Sequence, residues 1–137
     1  MSLSPQILNQ MRGVFSKYPE VAAVYLFGSR AAGRVRPDSD YDLGVVSVPG
    51  SDARVRRLDI LSDLAREGFD RVDLVFLDFD RLMLLFEAVR YNQVIYSVPS
   101  FDVGAFFSRV IREYSDFVPH LKIQRTALKK RLTHGSS

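Results

Sequence analysis

Phe27-Gly28-Ser29-Arg30-Ala31-Ala32-Gly33-Arg34-Val35-Arg36-Pro37-Asp38-Ser39-Asp40-Tyr41-Asp42-Leu43 joins the end of one apolar segment to the start of the next. The preceding run, Val21 to Phe27, is short, almost wholly apolar and rich in β-formers, as a buried strand requires. Gly28 allows the chain to turn sharply at its end, and Ser29 to Ala32 suit a short helix closed by Gly33. After the basic loop Arg34 to Pro37 the chain enters a second strand, Tyr41 to Val48, stopped by Pro49-Gly50. Residues two apart on a strand share a face, so Asp40 and Asp42 set two carboxylates side by side. Hard divalent cations choose such oxygens and leave room in their shell for water and phosphate.

Outward from this stretch, helices and strands alternate. Ile7, Leu8, Met11, Val14, Phe15 and Tyr18 recur at helical spacing behind Ser4 as N-cap and Pro5 at the first helical position, and Pro19 ends the pattern. Ser51 or Asp52 opens a helix reaching about Glu67, with Val55, Leu58, Ile60, Leu61, Leu64 and Ala65 as its apolar side and Gly68 as its stop. Arg71 to Leu77 reads as a third strand. A helix follows from Asp78 or Asp80 through Val89, then a short strand over Gln93 to Val98. From Asp102 a sustained apolar periodicity through Val103, Phe106, Phe107, Val110, Ile111, Tyr114, Phe117, Val118 and Leu121 marks the longest helix, which Pro119 should kink or interrupt. The fold class is therefore α/β (α+β): a small mixed sheet flanked by helices, in one domain over residues 1–134 with a frayed tail at 135–137.

The 137 residues, 47% of them hydrophobic, are enough to bury one sizeable core. The absence of cysteine rules out disulfides and thiolate metal sites and is compatible with a reducing cytoplasm. No apolar run approaches the roughly 18 residues of a spanning helix, and no signal peptide opens the chain, so a soluble, cytoplasmic protein is expected. The net charge of +3 is uneven. Five of the 19 basic residues (Lys122, Arg125, Lys129, Lys130, Arg131) lie beyond Phe117 with no acid among them, so the other 14 are outnumbered by all 16 acids. A mildly acidic body with a basic tail does not look like a nucleic-acid surface.

Taken singly, the chemical signals are weak. Gly28-Ser29 alone is most simply a capped turn, and Asp40 with Asp42 alone a loop cap and an edge charge. A third acid changes the balance: Asp73 enters the strand Arg71-Val72-Asp73-Leu74-Val75, and on a neighbouring strand it would meet the other two on one face. Three clustered carboxylates repel strongly unless cations lie among them. Arg30, Arg34 and Arg36 flank the turn, where they either grip phosphates bidentately or form a solvated loop. Tyr41, between the two acids, faces away from them. His120 and His134 are too far from the acids in sequence to be catalysts, and Phe106, Phe107, Tyr114 and Phe117 read as core.

Gly-Ser, ten intervening residues, Asp-x-Asp-Leu at a strand start, and a lone Asp on a later strand together resemble the DNA polymerase β nucleotidyltransferase superfamily. At this length the chain looks like its minimal nucleotidyltransferases. The likeness extends over the leading helix, Gly33, Ser39-Asp40-Tyr41-Asp42-Leu43, Arg71-Val72-Asp73-Leu74-Val75 and the closing Arg112-Glu113-Tyr114-Ser115-Asp116-Phe117.

The resemblance implies a polymerase β-like fold with a long C-terminal helix and a site in which Gly28 and Ser29, with Arg30, Gly33 and Arg36, hold the phosphates of ATP. Asp40, Asp42 and Asp73 would be the catalytic, metal-binding triad for two Mg²⁺, with Asp73 the base or the orienter of the nucleophile. It further implies AMP transfer to a tyrosine of a HEPN-domain RNase toxin, with this chain as the antitoxin, in a hetero-oligomer or as a homodimer. Two alternatives remain open: a small hydroxylated acceptor such as an aminoglycoside or lincosamide, and a non-catalytic antitoxin that masks its partner by binding.

Overall fold

The computed structural model describes residues 3–33 and 40–135, with side chains up to residue 119. The chain order is α1 (Pro5–Phe15), β1 (Val21–Phe27), α2 (Gly28–Ala31), β2 (Tyr41–Ser47), α3 (Arg57–Arg66), β3 (Val72–Leu77), α4 (Leu82–Val89), β4 (Val94–Ser97) and α5 (Val103–Gly135). Four strands form one sheet in the order β3-β2-β1-β4. β1 runs antiparallel to β2 and β4, while β2 and β3 are parallel, so the sheet is mixed as expected. The parallel pair needs a crossover, and α3 supplies it.

All seven residues of β1 are buried because helices cover both faces of the central strand. On one face Met11, Val14 and Phe15 of α1 and Ile60 and Leu64 of α3 pack with Val24, Leu26, Leu43, Val45 and Leu74. On the other, Leu85, Ala88 and Val89 of α4 and Val110 of α5 pack with Tyr25, Phe27, Val46 and Leu77. The even residues of β2 and the odd residues of β3 therefore look toward α4 and α5, which is the face that Asp42 and Asp73 occupy.

Several local expectations need correcting. α1 stops at Phe15, where the Ser16 hydroxyl donates to the Gly13 carbonyl and the chain tightens; Tyr18 still enters the core, with its hydroxyl donating to Asp63. The segment after Pro49-Gly50 is not one helix. Asp52 accepts from the Arg54 amide at 3.0 Å and starts a 3-10 turn over Ala53–Arg56, which shifts the helical phase before α3. Ala53, Ile60 and Leu64 are thereby buried, whereas Val55 and Leu58 are exposed and Ala65 faces solvent. Asp78 caps a second 3-10 turn, Phe79–Arg81, ahead of α4.

Pro119 lies inside α5 without ending it. A proline costs the helix only its own amide bond and some crowding, and at an exposed position the freed carbonyl has access to water. Of the aromatic residues of α5, Phe106 and Phe107 abut the core half-buried, and Tyr114 stacks on Phe86 of α4 with ring centroids 3.7 Å apart and planes 5° from parallel, whereas Phe117, also half-buried, joins neither core cluster. The side chains of His120, His134 and the basic tail lie outside the described residues. Among the described residues no helix is long and apolar enough to cross a membrane.

Candidate active site

β1 ends at Phe27 in extended backbone, and Gly28 turns the chain with φ +72° into α2. The left-handed conformation favours glycine, but space decides more. An ideal Cβ on Gly28 would lie 2.9 Å from Cγ and 3.2 Å from Cβ of Asp42, with the Asp42 Oδ2 closer still. The missing side chain is thus the space in which the carboxylate sits. Phe27 is the cross-strand partner of Asp42, which holds strand and turn in that register.

On its other side Asp42 is paired with Asp73 across the parallel β2–β3 ladder. Neighbouring strands lie roughly 4.8 Å apart, so the carboxylates share one patch of the sheet face. Asp42 is half-buried and Asp73 exposed. Burial, reinforced by the charges of Asp73 and then Asp40, pushes the Asp42 carboxyl above its ordinary value. Asp40 lies just before β2, with its side chain mostly exposed and Oδ1 4.0 Å from Nε of Arg71. The Arg71 carbonyl accepts from the Tyr41 amide at 2.9 Å, which sews the starts of the two acidic strands together.

The other expected site residues distribute unevenly. Ser29 is the second residue of α2, a four-residue helix whose N-cap, Phe27, makes no side-chain hydrogen bond to the first turn. Arg30 is 9% exposed and has its guanidinium carbon 3.9 Å from the centroid of the Tyr41 ring. Tyr41 packs on the α1/α3 side, facing away from Asp42 as its strand position required. Gly33, with φ +78°, closes the turn, while Arg34 and Arg36 lie outside the described residues.

Two contributors escaped the sequence reading. Gln93 donates from Nε2 to the Ala31 carbonyl at 3.1 Å and accepts from the Leu26 amide at 2.8 Å, so it braces α2 against β1. Arg71 precedes Asp73 by two, the period that places side chains on one face, and that was the available signal.

Among the described residues no three acidic or histidine side chains already converge as a ready-made metal cage. Mg²⁺ uses one or two carboxylates and completes its shell with water and substrate phosphates, and the half-buried Asp42 beside Asp73 matches that demand. A cation there would offset both the burial of the Asp42 charge, which is the main cause of its raised carboxyl, and the repulsion from Asp73 and Asp40. A cavity of about 590 Å³ lined by Val46, Phe76, Phe79, Phe106 and Arg109 lies toward the opposite end of the sheet, apart from the acids.

The comparisons with known proteins agree with this geometry. The family described as Polymerase beta, Nucleotidyltransferase matches residues 9–100. The protein adenylyltransferase MntA of Aphanizomenon flos-aquae (strain 2012/KM1/D3) is 24% identical over 134 residues, covering 85% of this chain and 81% of the relative. A crystal structure of a toxin-antitoxin with AMP-PNP contains a chain that is 25% identical, with a TM-score of 0.66, covering 92% of this chain and 98% of that one. The tri-AMPylated Shewanella oneidensis HEPN toxin in complex with MNT antitoxin contains another with the same fold, at 24% identity and TM-score 0.56 over 93% of each chain. With two thirds of its length matched and the Gly28, Asp42 and Asp73 constellation assembled on one sheet face, this chain belongs to the polymerase beta nucleotidyltransferase family.

Proposed function

We propose that this chain is a Mg²⁺-dependent protein adenylyltransferase that moves AMP from ATP onto a tyrosine hydroxyl of a HEPN-domain toxin and acts as its antitoxin. The observation that carries this reading is Asp42, held between the side-chain-free Gly28 turn and the register partner Asp73. Its likeness to MntA and to the chain from the assembly with AMP-PNP supports the choice of adenylyl transfer and of a protein acceptor.

The amides of α2 and the Ser29 hydroxyl bind the phosphates, and Gly28 lets them approach the acids closely. Asp42 and Asp40 would hold Mg²⁺, with Asp73 as a further ligand or as the group facing the acceptor. When bound, the metal supplies charge neutralisation on the leaving phosphates and activation of the attacking oxygen. The acceptor oxygen bonds to the α-phosphorus, and the bond from that phosphorus to the bridging oxygen of the β-phosphate breaks. Pyrophosphate leaves, and the hydroxyl proton passes to Asp73 or to solvent oriented by it.

The test is to incubate the purified chain with its cognate HEPN-domain protein, ATP and Mg²⁺, and to weigh the partner. Addition of one or more AMP units, lost in Asp40→Ala, is the expected result. An unchanged partner mass with wild-type protein would overturn the reading.

A further inference from the structure

Arg30 sits one residue beyond Ser29, yet its guanidinium is not on the face that carries Asp42. It is buried, 3.9 Å from the centre of the Tyr41 ring on the α1/α3 side of the sheet. Tyr41 is in turn fixed by two contacts. Phe69 meets its ring edge-on at 5.6 Å, and its amide donates to the Arg71 carbonyl; it lies between Asp40 and Asp42 in sequence. The stack therefore joins the backbone of the phosphate turn to the strand of the metal acids from behind the site. Elsewhere on α2, Ala31 is tied by Gln93 toward β1, and Gly33 adds no side chain.

We propose that Arg30 is a positioning residue that acts through Tyr41, holding the Gly28-Ser29 turn at a fixed distance from Asp42 without itself touching the nucleotide. The proposal rests on the adenylyl-transfer reading for its catalytic consequence, and on geometry alone for the clamp. A desolvated guanidinium on an aromatic face is among the stronger side-chain contacts in a core, and its planarity suits the role better than a lysine would. α2 has only four residues and no side-chain N-cap, so it has little strength of its own to resist drift. Transfer chemistry is steeply sensitive to such drift, with an ångström of misplacement worth about a hundredfold in rate.

The experiment compares Arg30→Met, Arg30→Lys, Tyr41→Leu, Tyr41→Phe and the double variant Arg30→Met/Tyr41→Leu. Three readouts are taken: kcat for partner adenylylation, calorimetric affinity for AMP-PNP with Mg²⁺, and amide hydrogen exchange over residues 28–33. Arg30→Met and Tyr41→Leu are each expected to lower kcat by roughly a hundredfold, with affinity changed by less than about threefold. The double variant is expected to be no worse than either single one, because both remove the same contact. Tyr41→Phe keeps the ring and restores the rate lost in Tyr41→Leu, and Arg30→Lys restores part of that lost in Arg30→Met.

Exchange over residues 28–33 quickens in both single variants whether or not the wild type transfers AMP, so the clamp is tested even if the adenylyltransferase reading fails. Loss of nucleotide affinity in Arg30→Met with none in Tyr41→Leu would make Arg30 a phosphate ligand and overturn the proposal. So would additive losses in the double variant, or unaltered exchange in both single ones.

Discussion

Gly28 and Asp42 occupy one another's space: the carboxylate of Asp42 lies where a side chain on Gly28 would begin. Gly28→Ala meets two penalties at once. The left-handed φ of +72° costs an alanine roughly 1–2 kcal/mol, and the new methyl must displace the carboxylate. The expected outcome is a protein that folds with a modestly lower melting temperature and loses AMP transfer by at least about a hundredfold. Mass spectrometry of the partner alongside a thermal melt checks it, and full activity in Gly28→Ala would refute the packing argument.

The electrostatics of Asp42 give a pH-dependent prediction. Burial first, then Asp73 and Asp40, raise its carboxyl in the folded state. A carboxyl raised on folding favours the folded chain while protonated; that contribution is complete below the unfolded pKa and disappears as pH rises through the raised folded value. Asp42→Asn is neutral throughout. In the presence of a chelator it is expected to melt above wild type near neutral pH, with the difference shrinking as the pH falls to about 4. Added Mg²⁺ is expected to raise the wild-type melting temperature more than that of Asp42→Asn, which keeps Asp40 and Asp73 but has lost the half-buried carboxylate between them. Melts across pH with and without Mg²⁺ decide it.

Much of this arrangement was legible in the sequence because it depends on periodicities that tertiary context rarely overrides. The alternation Asp40-Tyr41-Asp42 had to split its side chains between faces, and Tyr41 is indeed on the α1/α3 side. Asp73 could be grouped with Asp42 only on the assumption that their strands are neighbours, and the parallel register supplies that. What escaped depends on contacts distant in sequence or on local phase. Nothing near Gln93 signals that its amide will brace Ala31, and nothing in Arg30 signals that its guanidinium will turn away from the phosphate turn to a ring eleven residues later. An unbroken helix would place Val55 and Leu58 on its buried stripe, but the 3-10 turn begun by Asp52 rotates them outward.

Tyr25 offers a test of the core beneath the site. Its side chain is fully buried, its ring stacks on Phe106 at 6.0 Å, and its hydroxyl has no hydrogen-bond partner among the described residues. Burial pushes the hydroxyl pKa up to about 12, so it is neutral at any working pH and contributes no charge. An unpaired buried hydroxyl costs about 1–3 kcal/mol, and removing it keeps the ring. Tyr25→Phe is expected to raise the melting temperature by a few degrees and to leave AMP transfer intact, as differential scanning calorimetry and the partner mass would register. A lower melting temperature would mean that the hydroxyl has a partner.

Asp73 offers a test that separates binding from chemistry. It is the direct register partner of Asp42, yet it is exposed where Asp42 is half-buried against Gly28. On the proposed reading, Asp42 would hold the metal beside the phosphates and Asp73 would serve the incoming hydroxyl. Asp73→Asn keeps the size and removes the charge. It is expected to bind AMP-PNP with Mg²⁺ within a few-fold of wild type while transfer falls by about 10²–10⁴-fold, the range for a lost general base. The same variant removes the stronger of the two charge effects on Asp42, so the stability that Asp42→Asn gains near neutral pH should shrink in an Asp73→Asn background. Calorimetry and single-turnover kinetics give the first pair of numbers and thermal melts the third. If affinity and rate fell together, Asp73 would belong with Asp42 as a holder of the nucleotide and its metal, and the attacking hydroxyl would have to be deprotonated elsewhere.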